Sequence, residues 1–244
     1  MAGVATWLQR GFDLGEKVVY IDTNDGEVKI LRSTLADRGV DLVEAIEAGR
    51  LEIFRHYRLH DPQAPAVLAA RSRAEGYPAL RVSLGPTDDW PPEAYRRLEG
   101  IMARLCDTDR VSALCQCPLP ETRGRRLREA VALHADGVRE DTLATAWAND
   151  SLVLRGELDM TNATVFGEVL IAMFHSHPAH LELDLRQVSF LDAASCRILI
   201  LSTYDYRTAG GALTLRSPQP IVDRVLSIFG VHELPGFAVT HGRR

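Results

Sequence analysis

The sequence predicts an α/β protein with two domains, and three observations lead to this prediction. In the first half of the 244-residue chain, short apolar runs typical of buried strands alternate with segments of helical periodicity. The same two patterns recur in the second half, after a stretch at 135–149 without apolar periodicity. Such alternation favours a parallel sheet with helices on both faces. We therefore expect domains at 1–138 and 150–244, joined by a linker at 139–149.

The elements of the first half follow one another with clear stop signals. The run KVVYID at 17–22 has the length and composition of a buried strand, and Gly15 ends the helix before it. Gly39 and Gly49 follow two further helices, where the chain needs a left-handed backbone. We predict strands at 17–22, 51–54, 79–84 and 111–116, and helices at 5–15, 28–38, 42–48, 65–76, 93–105 and 121–134.

The elements of the second half are predicted in the same way. Leucines alternate with acidic residues over 181–185, which is typical of a half-buried strand. Pro220 stands near the start of the last helix and Gly230 follows its end, the usual asymmetry of helix termini. We predict strands at 151–154, 181–185, 188–191 and 212–215, and helices at 161–175, 193–208 and 220–229.

Composition excludes several classes of function. The net charge is -5, so we expect no general affinity for nucleic acid or for an anionic membrane. Apolar runs all fall short of the roughly 18 residues that span a bilayer, and the first ten residues do not resemble a signal peptide. We therefore expect a cytoplasmic protein whose four cysteines, Cys106, Cys115, Cys117 and Cys196, stay reduced.

Three segments of the second half together form a family pattern. They are LRGELDMTNATVFGEVL at 154–170, LELDLRQVSFLDAASCRILI at 181–200 and PIVDRVLSIFGVHELPGF at 220–237. In this order they resemble the STAS domain of anti-sigma-factor antagonists. The resemblance implies an α/β sheet packed with helices, and a partner that is an anti-sigma factor or a related serine-kinase-type ATPase. It also implies that the partner is bound at the turn and first helical turns formed by Asp192, Ala194, Ser195 and Arg197.

The resemblance also implies a serine that a partner kinase phosphorylates, and this position is altered in this chain. Where the resemblance implies a serine pair after Asp192, the sequence has Ala193 and Ala194, and Ser195 stands one residue later. A shift of one residue turns a helical side chain by about 100°. We therefore expect partner binding without the usual phosphoserine, and phosphorylation of Ser195 remains the alternative. Asp192 is also expected to cap the following helix.

Four segments within residues 1–135 form a second family pattern. They are GEKVVYID at 15–22, GVDLVEAIEAGRLEIF at 39–54, EGYPALRVSLGPTDDW at 75–90 and RVSALCQC at 110–117. Through them residues 1–135 resemble the MEDS sensory domain. The resemblance implies a RecA-like fold that senses small ligands, which for some members are thought to be hydrocarbon derivatives. The sequence has no G-x-x-x-x-G-K-[ST] motif, so we do not expect ATP hydrolysis.

A candidate ligand rim follows from the predicted parallel sheet, because ligands gather beyond the carboxyl ends of its strands. The residues at those ends are Asp22, Thr23, Gly85, Thr87, Asp88, Cys115, Gln116 and Cys117. The two thiols of the C-x-C run point to one face of the strand and could share a metal ion. A zinc site usually needs four ligands, so we expect reduced cysteines, no metal and no cofactor.

Taken together, these patterns predict a signalling regulator that is not an enzyme. In this hypothesis the STAS domain binds a partner protein and the MEDS-like domain modulates the binding. Two alternatives stay open. One is an antagonist controlled by phosphorylation of Ser195, and the other is a small-ligand sensor or an enzyme built on the N-terminal sheet.

Overall fold

The computed structural model of the chain divides it by its contacts into two compact units, Met1–Glu121 and Thr122–Arg244. Each unit is built from one sheet and the helices that pack on it, and each is described by itself below. The residues that the structure describes are 2–22, 27–55, 61, 63–85, 91–117, 125–134, 137–140, 142–148, 151–176 and 179–242.

The first unit contains a four-stranded sheet in the order β2-β1-β3-β4. All three neighbouring pairs run parallel, so the carboxyl ends of the strands meet at one edge of the sheet. The strands are β1 (Lys17–Asp22), β2 (Leu51–Arg55), β3 (Leu80–Leu84) and β4 (Val111–Cys115).

Helices of the first unit cover the sheet in two groups. Helix α1 contacts α2, which contacts α3, while α4 contacts α5. The chain moves one way along the sheet from β1 to β2 and the other way from β2 to β3, and right-handed crossovers then place the two groups on opposite faces. The predicted parallel sheet with two covered faces is thus confirmed. The helices are α1 (Ala2–Asp13), α2 (Glu27–Ala36), α3 (Leu42–Glu47), α4 (Ala64–Ala74) and α5 (Pro92–Thr108).

The core of the first unit is centred on β1, which is buried along almost its whole length. Leu8, Tyr20 and Leu31 are fully enclosed in a cluster formed by α1, β1 and α2. At the opposite, amino end of the strand, Lys17 is buried but satisfied, because its ammonium group donates to the carboxylates of Glu52 and Glu75 at 2.8 Å each. The buried ammonium group of Lys17 is therefore paired at the amino edge of the sheet, away from the predicted rim.

The second unit contains a six-stranded mixed sheet in the order β10-β9-β8-β7-β6-β5. Strands β7 to β10 form a parallel array, and β6 runs antiparallel to both β7 and β5. The strands are β5 (Arg139–Glu140), β6 (Leu143–Ala148), β7 (Ser151–Leu158), β8 (His180–Leu191), β9 (Ala212–Arg216) and β10 (Phe237–Thr240).

The interval 139–149, predicted as a linker, instead contains β5 and β6. Strand β6 pairs with β7 along all six of its residues, and Leu143 is only 1% exposed. This strand was not predicted because β6 is rich in alanine and its apolar alternation is weak. The sheet of the second unit therefore begins well before residue 150.

Helices of the second unit pack around β8. Helix α6, which was predicted in the first domain, contacts α7, and α7 in turn contacts α8. The predicted single helix at 193–208 is broken at Thr203, whose hydroxyl donates to the carbonyl of Leu199 at 2.7 Å. The helices are α6 (Arg125–Leu133), α7 (Ala163–Ser176), α8 (Ala193–Ser202), α9 (Tyr204–Thr208) and α10 (Pro220–Ile228), followed by a short 3-10 helix (Val231–Glu233). Across the described ranges, no helix is both long enough and apolar enough to cross a membrane.

Candidate functional site

Asp192 shapes the turn that joins β8 to α8. Its backbone amide donates to the carbonyl of Leu158 on the neighbouring strand β7 at 2.9 Å. Its Oδ1 accepts from the amide of Ser195 at 2.7 Å, which satisfies one of the free amides at the start of the helix. Asp192 is therefore the N-cap of α8, as predicted.

One side of α8 is open to solvent. Ala193 and Ala194 are exposed in the first turn, and Arg197 is exposed in the next. Leu201 continues the same side with 63% of its surface exposed. Residues three and four apart lie next to each other on a helix, so we call Ala194, Arg197 and Leu201 the α8 face.

Ser195 does not belong to this exposed side, which corrects its predicted place in the binding surface. The residue is 0% exposed, and its Oγ has no hydrogen-bond partner among the residues that the structure describes. The cap at Asp192 sets the rotation of the helix and turns the third helical position towards the interior, beside the buried Cys196. Burial raises the pKa of the Cys196 thiol to about 11.

A loop that the sequence reasoning missed lies beside the Asp192 turn. Strand β7 ends at Leu158, which pairs with Leu191 of β8, and Met160 follows with 75% of its surface exposed. Asp159 accepts from both the hydroxyl and the amide of Thr161, at 2.5 and 2.8 Å, and these bonds lower the pKa of its carboxyl. The Asp-x-Thr spacing after a predicted strand is the signal that would have indicated this turn.

Asn162 anchors the same loop from inside the protein. The residue is fully buried, and its Nδ2 donates to the carbonyl of Glu157 at 2.9 Å and to the hydroxyl of Thr142 at 3.1 Å. Its Oδ1 accepts from the amide of Asp159 at 3.2 Å. The loop that presents Met160 is therefore tied to the segment that precedes β6.

The carboxyl edge of the first sheet brings part of the predicted ligand rim together. The amide of Gln116 donates to the carbonyl of Leu84 at 2.6 Å, and its Nε2 donates to the hydroxyl of Ser83 at 2.7 Å. A Cβ atom on Gly85 would overlap the carbonyl oxygen of Gln116, so the close approach of these two backbone segments requires glycine. Asp22, Cys115 and Cys117 are half-buried at the ends of their strands, while Thr23, Thr87 and Asp88 lie outside the described residues.

Tyr95 joins this edge from helix α5, which the sequence reasoning did not anticipate. Its hydroxyl oxygen lies 3.2 Å from the Sγ of Cys115, and the Sγ atoms of Cys115 and Cys117 are 3.9 Å apart. The hydrogen bond with Cys117, together with burial and the charge of Glu99, raises the pKa of the Cys115 thiol. Burial likewise raises the pKa of Tyr95, so both groups stay protonated at neutral pH.

Comparisons with known proteins agree with the two halves. The model of the MEDS family, the methanogen/methylotroph DcmR sensory domain, matches residues 1–135, and a model described as Mlab, STAS domain, matches residues 142–236. A search of curated proteins finds no significant match.

Several solved structures are similar to the C-terminal part. A putative anti-sigma factor antagonist from Thermotoga maritima aligns with 22% identity and a TM-score of 0.34, covering 40% of this chain and 86% of its own. An anti-sigma factor antagonist from Mycobacterium paratuberculosis aligns with 21% identity and a TM-score of 0.34, covering 39% and 83%. The unphosphorylated anti-sigma factor antagonist SpoIIAA aligns with 18% identity and a TM-score of 0.33, covering 40% and 87%.

The family match over 1–135 spans more than half of the chain. The second unit, which follows in the sequence, has the strand order, the helix cap at Asp192 and the closing helix described above. The chain therefore belongs to the MEDS family and carries a STAS domain after its MEDS domain.

Proposed function

We propose that the protein is a signalling regulator without enzymatic activity, whose STAS domain binds a partner protein through the α8 face. The observation that carries the proposal is the exposed side of α8 next to the Asp192 cap. Methionine and arginine are enriched in protein interfaces, and here Met160 and Arg197 are both exposed beside this turn. The partner class, an anti-sigma factor or a serine-kinase-type ATPase, follows from the resemblance of 181–200 to anti-sigma-factor antagonists.

The proposed binding does not use a phosphoserine at 195. A fully buried hydroxyl reaches a kinase only after local unfolding of the first turn of α8. A phosphate at this position would also carry negative charge into an apolar interior. Incubating the folded protein with the partner kinase and ATP, followed by peptide mass spectrometry, tests this point. Phosphate on Ser195 would show that the alternative, a phosphorylation-controlled antagonist, is right.

A pair of matched charge reversals tests the α8 face. Arg197→Glu replaces a positive charge on the α8 face by a negative one, whereas Arg224→Glu makes the same change on the exposed side of α10. We expect Arg197→Glu to weaken binding of the isolated partner about tenfold or more, and Arg224→Glu to leave it unchanged. Isothermal titration calorimetry gives both affinities, and equal affinities for the two variants would exclude the α8 face.

Substitutions at Asp192 separate its charge from its role as a cap. Asp192→Ser keeps an oxygen that accepts from the amide of Ser195, while Asp192→Lys removes the acceptor and reverses the charge. If charge at the turn contributes to recognition, both variants weaken binding, and the lysine variant weakens it more. Thermal denaturation of each variant shows whether a loss of binding follows from a loss of fold.

The MEDS domain is proposed to modulate this binding through a small ligand at the rim of its sheet. The support is the cluster of Gly85, Gln116 and Cys115 at adjacent strand ends, where ligands of parallel sheets gather. The raised pKa values of Cys115 and Tyr95 keep both groups protonated and make them poor nucleophiles, which favours sensing over catalysis.

A thermal-shift screen tests ligand binding at the rim. We expect a member of a panel of short-chain alcohols, aldehydes and ketones to raise the Tm of the intact protein, because a ligand that binds only the folded state stabilises it. Gln116→Leu removes the hydrogen bond to Ser83 and should abolish the shift. A shift that survives in Gln116→Leu would place the ligand elsewhere.

A further inference from the structure

Cys115 and Cys117 form a pair of thiols at the carboxyl end of β4. Their Sγ atoms lie 3.9 Å apart, and both residues are half-buried. Side chains two residues apart in an extended chain point to the same side, so the C-x-C spacing itself produces the pair. A disulfide has a sulfur–sulfur distance of about 2.05 Å, which leaves a gap of about 2 Å to be closed by side-chain rotation.

We propose that Cys115 and Cys117 form a reversible intramolecular disulfide when the protein is exposed to a peroxide. Both cysteines belong to the first unit, whereas the α8 face belongs to the second. The pair is accompanied by a tyrosine hydroxyl, that of Tyr95, 3.2 Å from the Cys115 sulfur. Two thiols in contact are sufficient for this chemistry.

The order of the two steps follows from the surroundings of each thiol. Cys115 is the last residue of β4 and its sulfur lies against the Tyr95 hydroxyl, whereas Cys117 lies beyond the end of the strand, so we assign the first oxidation to Cys117. The hydrogen bond with Cys117, burial and the charge of Glu99 also raise the pKa of the Cys115 thiol. Hydrogen peroxide therefore oxidises Cys117 to a sulfenic acid: an S–O bond forms, the O–O bond breaks and one water leaves. The sulfur of Cys115 then attacks the sulfur of Cys117, and the S–O bond breaks. The hydroxyl leaves with the proton of Cys115 as a second water.

Gln116 links the disulfide to the ligand rim. It lies between the two cysteines in the sequence. Its backbone amide donates a hydrogen bond to the carbonyl of Leu84 and its side chain donates one to the hydroxyl of Ser83, and these bonds hold the end of β4 to β3. Because Gln116 is the single residue inside the ring that the disulfide closes, we expect the cross-link to strain its hydrogen bonds to Leu84 and Ser83. The oxidised protein therefore has an altered rim next to Gly85, where its chain approaches Gln116 most closely.

Thiol counting and peptide mapping test the proposal on the intact protein. The reduced chain has four free cysteines, and we expect treatment with hydrogen peroxide to lower the count to two. After alkylation and digestion without reductant, the peptide with Cys115 and Cys117 should be lighter by two hydrogens and carry no alkyl group. Dithiothreitol should restore four thiols.

Serine variants provide the controls. Cys115→Ser and Cys117→Ser should each abolish the cross-linked peptide, and Cys117→Ser should also remove the sulfenic acid that a dimedone probe traps in Cys115→Ser. Cys106→Ser, the same change on helix α5, should leave the cross-link intact. Retention of all four thiols, a sulfinic acid at Cys117, or a disulfide between two chains would each overturn the proposal.

Discussion

The hydroxyl of Ser195 shows how much depends on the rotation of one helical residue. Asp192 accepts from the backbone amide of Ser195, so the cap holds the backbone of this residue while its side chain points inward. Ala194, its neighbour, is exposed to solvent. A charge introduced at position 195 would therefore be buried, whereas one introduced at position 194 would be exposed to solvent.

Substitutions at these two positions should have opposite effects on stability. Ser195→Ala should leave the free energy of unfolding unchanged or slightly higher, because the removed hydroxyl has no partner among the described residues. Ser195→Asp should lower it by about 3 kcal/mol, since it buries an unpaired charge. Ala194→Asp is the control, because a carboxylate in the first turn of a helix is exposed and favoured. Urea denaturation measures all three, and equal stability of the two aspartate variants would contradict the burial of Ser195.

Asp184 should make the stability of the second unit depend on acid. Its carboxyl is 2% exposed and accepts from the guanidinium of Arg186 at 2.5 to 3.0 Å, which lowers its pKa. A carboxyl whose pKa is lower in the folded than in the unfolded state stabilises the fold above about pH 4, and the stabilisation is lost as the pH falls through the folded value. Asp184→Asn should therefore cost about 1 to 3 kcal/mol at pH 7.

The difference between the wild type and Asp184→Asn should shrink as the pH is lowered from 5 to below about 3. Chemical denaturation at a series of pH values measures this difference directly. Arg186→Gln should lose most of the same pH-dependent part, because the Arg186 side chain is the largest cause of the lowered pKa of Asp184, while Arg216 and the backbone amide of residue 186 remain. A difference that stays constant over this range would show that the ion pair does not couple to folding.

At the scale of elements, the contact between α7 and α8 depends on a glycine. A Cβ atom on Gly167 would lie 3.0 Å from Cγ2 of Ile198 and 3.1 Å from Oγ of Ser202. Helix α7 therefore approaches α8 more closely than a larger residue permits, which positions the helix that carries the α8 face.

The same substitution at two helical glycines tests this contact. Gly167→Leu should lower the free energy of unfolding by about 1 to 3 kcal/mol, because it overfills the interface. Gly100→Leu in α5 should raise it by up to about 1 kcal/mol, since among the described residues a Cβ atom there would have only the end of Arg104 within 4 Å, and leucine favours helix. Thermal denaturation followed by circular dichroism gives both signs, and two stabilising substitutions would contradict the close packing of α7 on α8.

Strand β8 shows why element boundaries were harder to predict than element types. The sequence predicted two short strands at 181–185 and 188–191, because Arg186 and Gln187 interrupt the apolar alternation. In the structure β8 is continuous over His180–Leu191, and register shifts in its pairing with β7 accommodate the interruption. The continuous strand carries Asp192 directly to the start of α8.

At the scale of the whole molecule, the second unit includes residues that the sequence assigned elsewhere. Strand β6 covers one edge of β7, and α6 packs on α7. Without β6, the buried strand β7 would become an edge with unpaired backbone groups. The unit that folds is therefore expected to begin before β5 and not at residue 150.

Two fragments test this boundary. A fragment of residues 122–244 should unfold cooperatively, whereas a fragment of 150–244 should have a clearly lower Tm or aggregate. Loss of the buried Leu143 alone costs about 2 to 5 kcal/mol, judged from large-to-small substitutions in protein cores. Circular dichroism and size-exclusion chromatography compare the fragments, and equal Tm values would mean that β5 and β6 contribute nothing to the fold.

The sequence by itself determined the fold class, both families and most elements of the chain. Strand β1 has the predicted bounds of 17–22, and the cap at Asp192 lies where it was expected. These features depend on periodicity, capping and glycine stops, which are interactions between residues close together in the chain. The weak alternation of 143–148 carried too little of that local signal to be read as a strand.

Only the tertiary structure decided which side chains meet and which are exposed. It buried Ser195, brought Met160 beside the Asp192 turn, and placed Tyr95 of α5 against Cys115 of β4. Each of these outcomes depends on how a helix is rotated against a sheet, or on contacts between residues far apart in the chain. Packing of the whole unit sets that geometry, and no local pattern in the sequence encodes it.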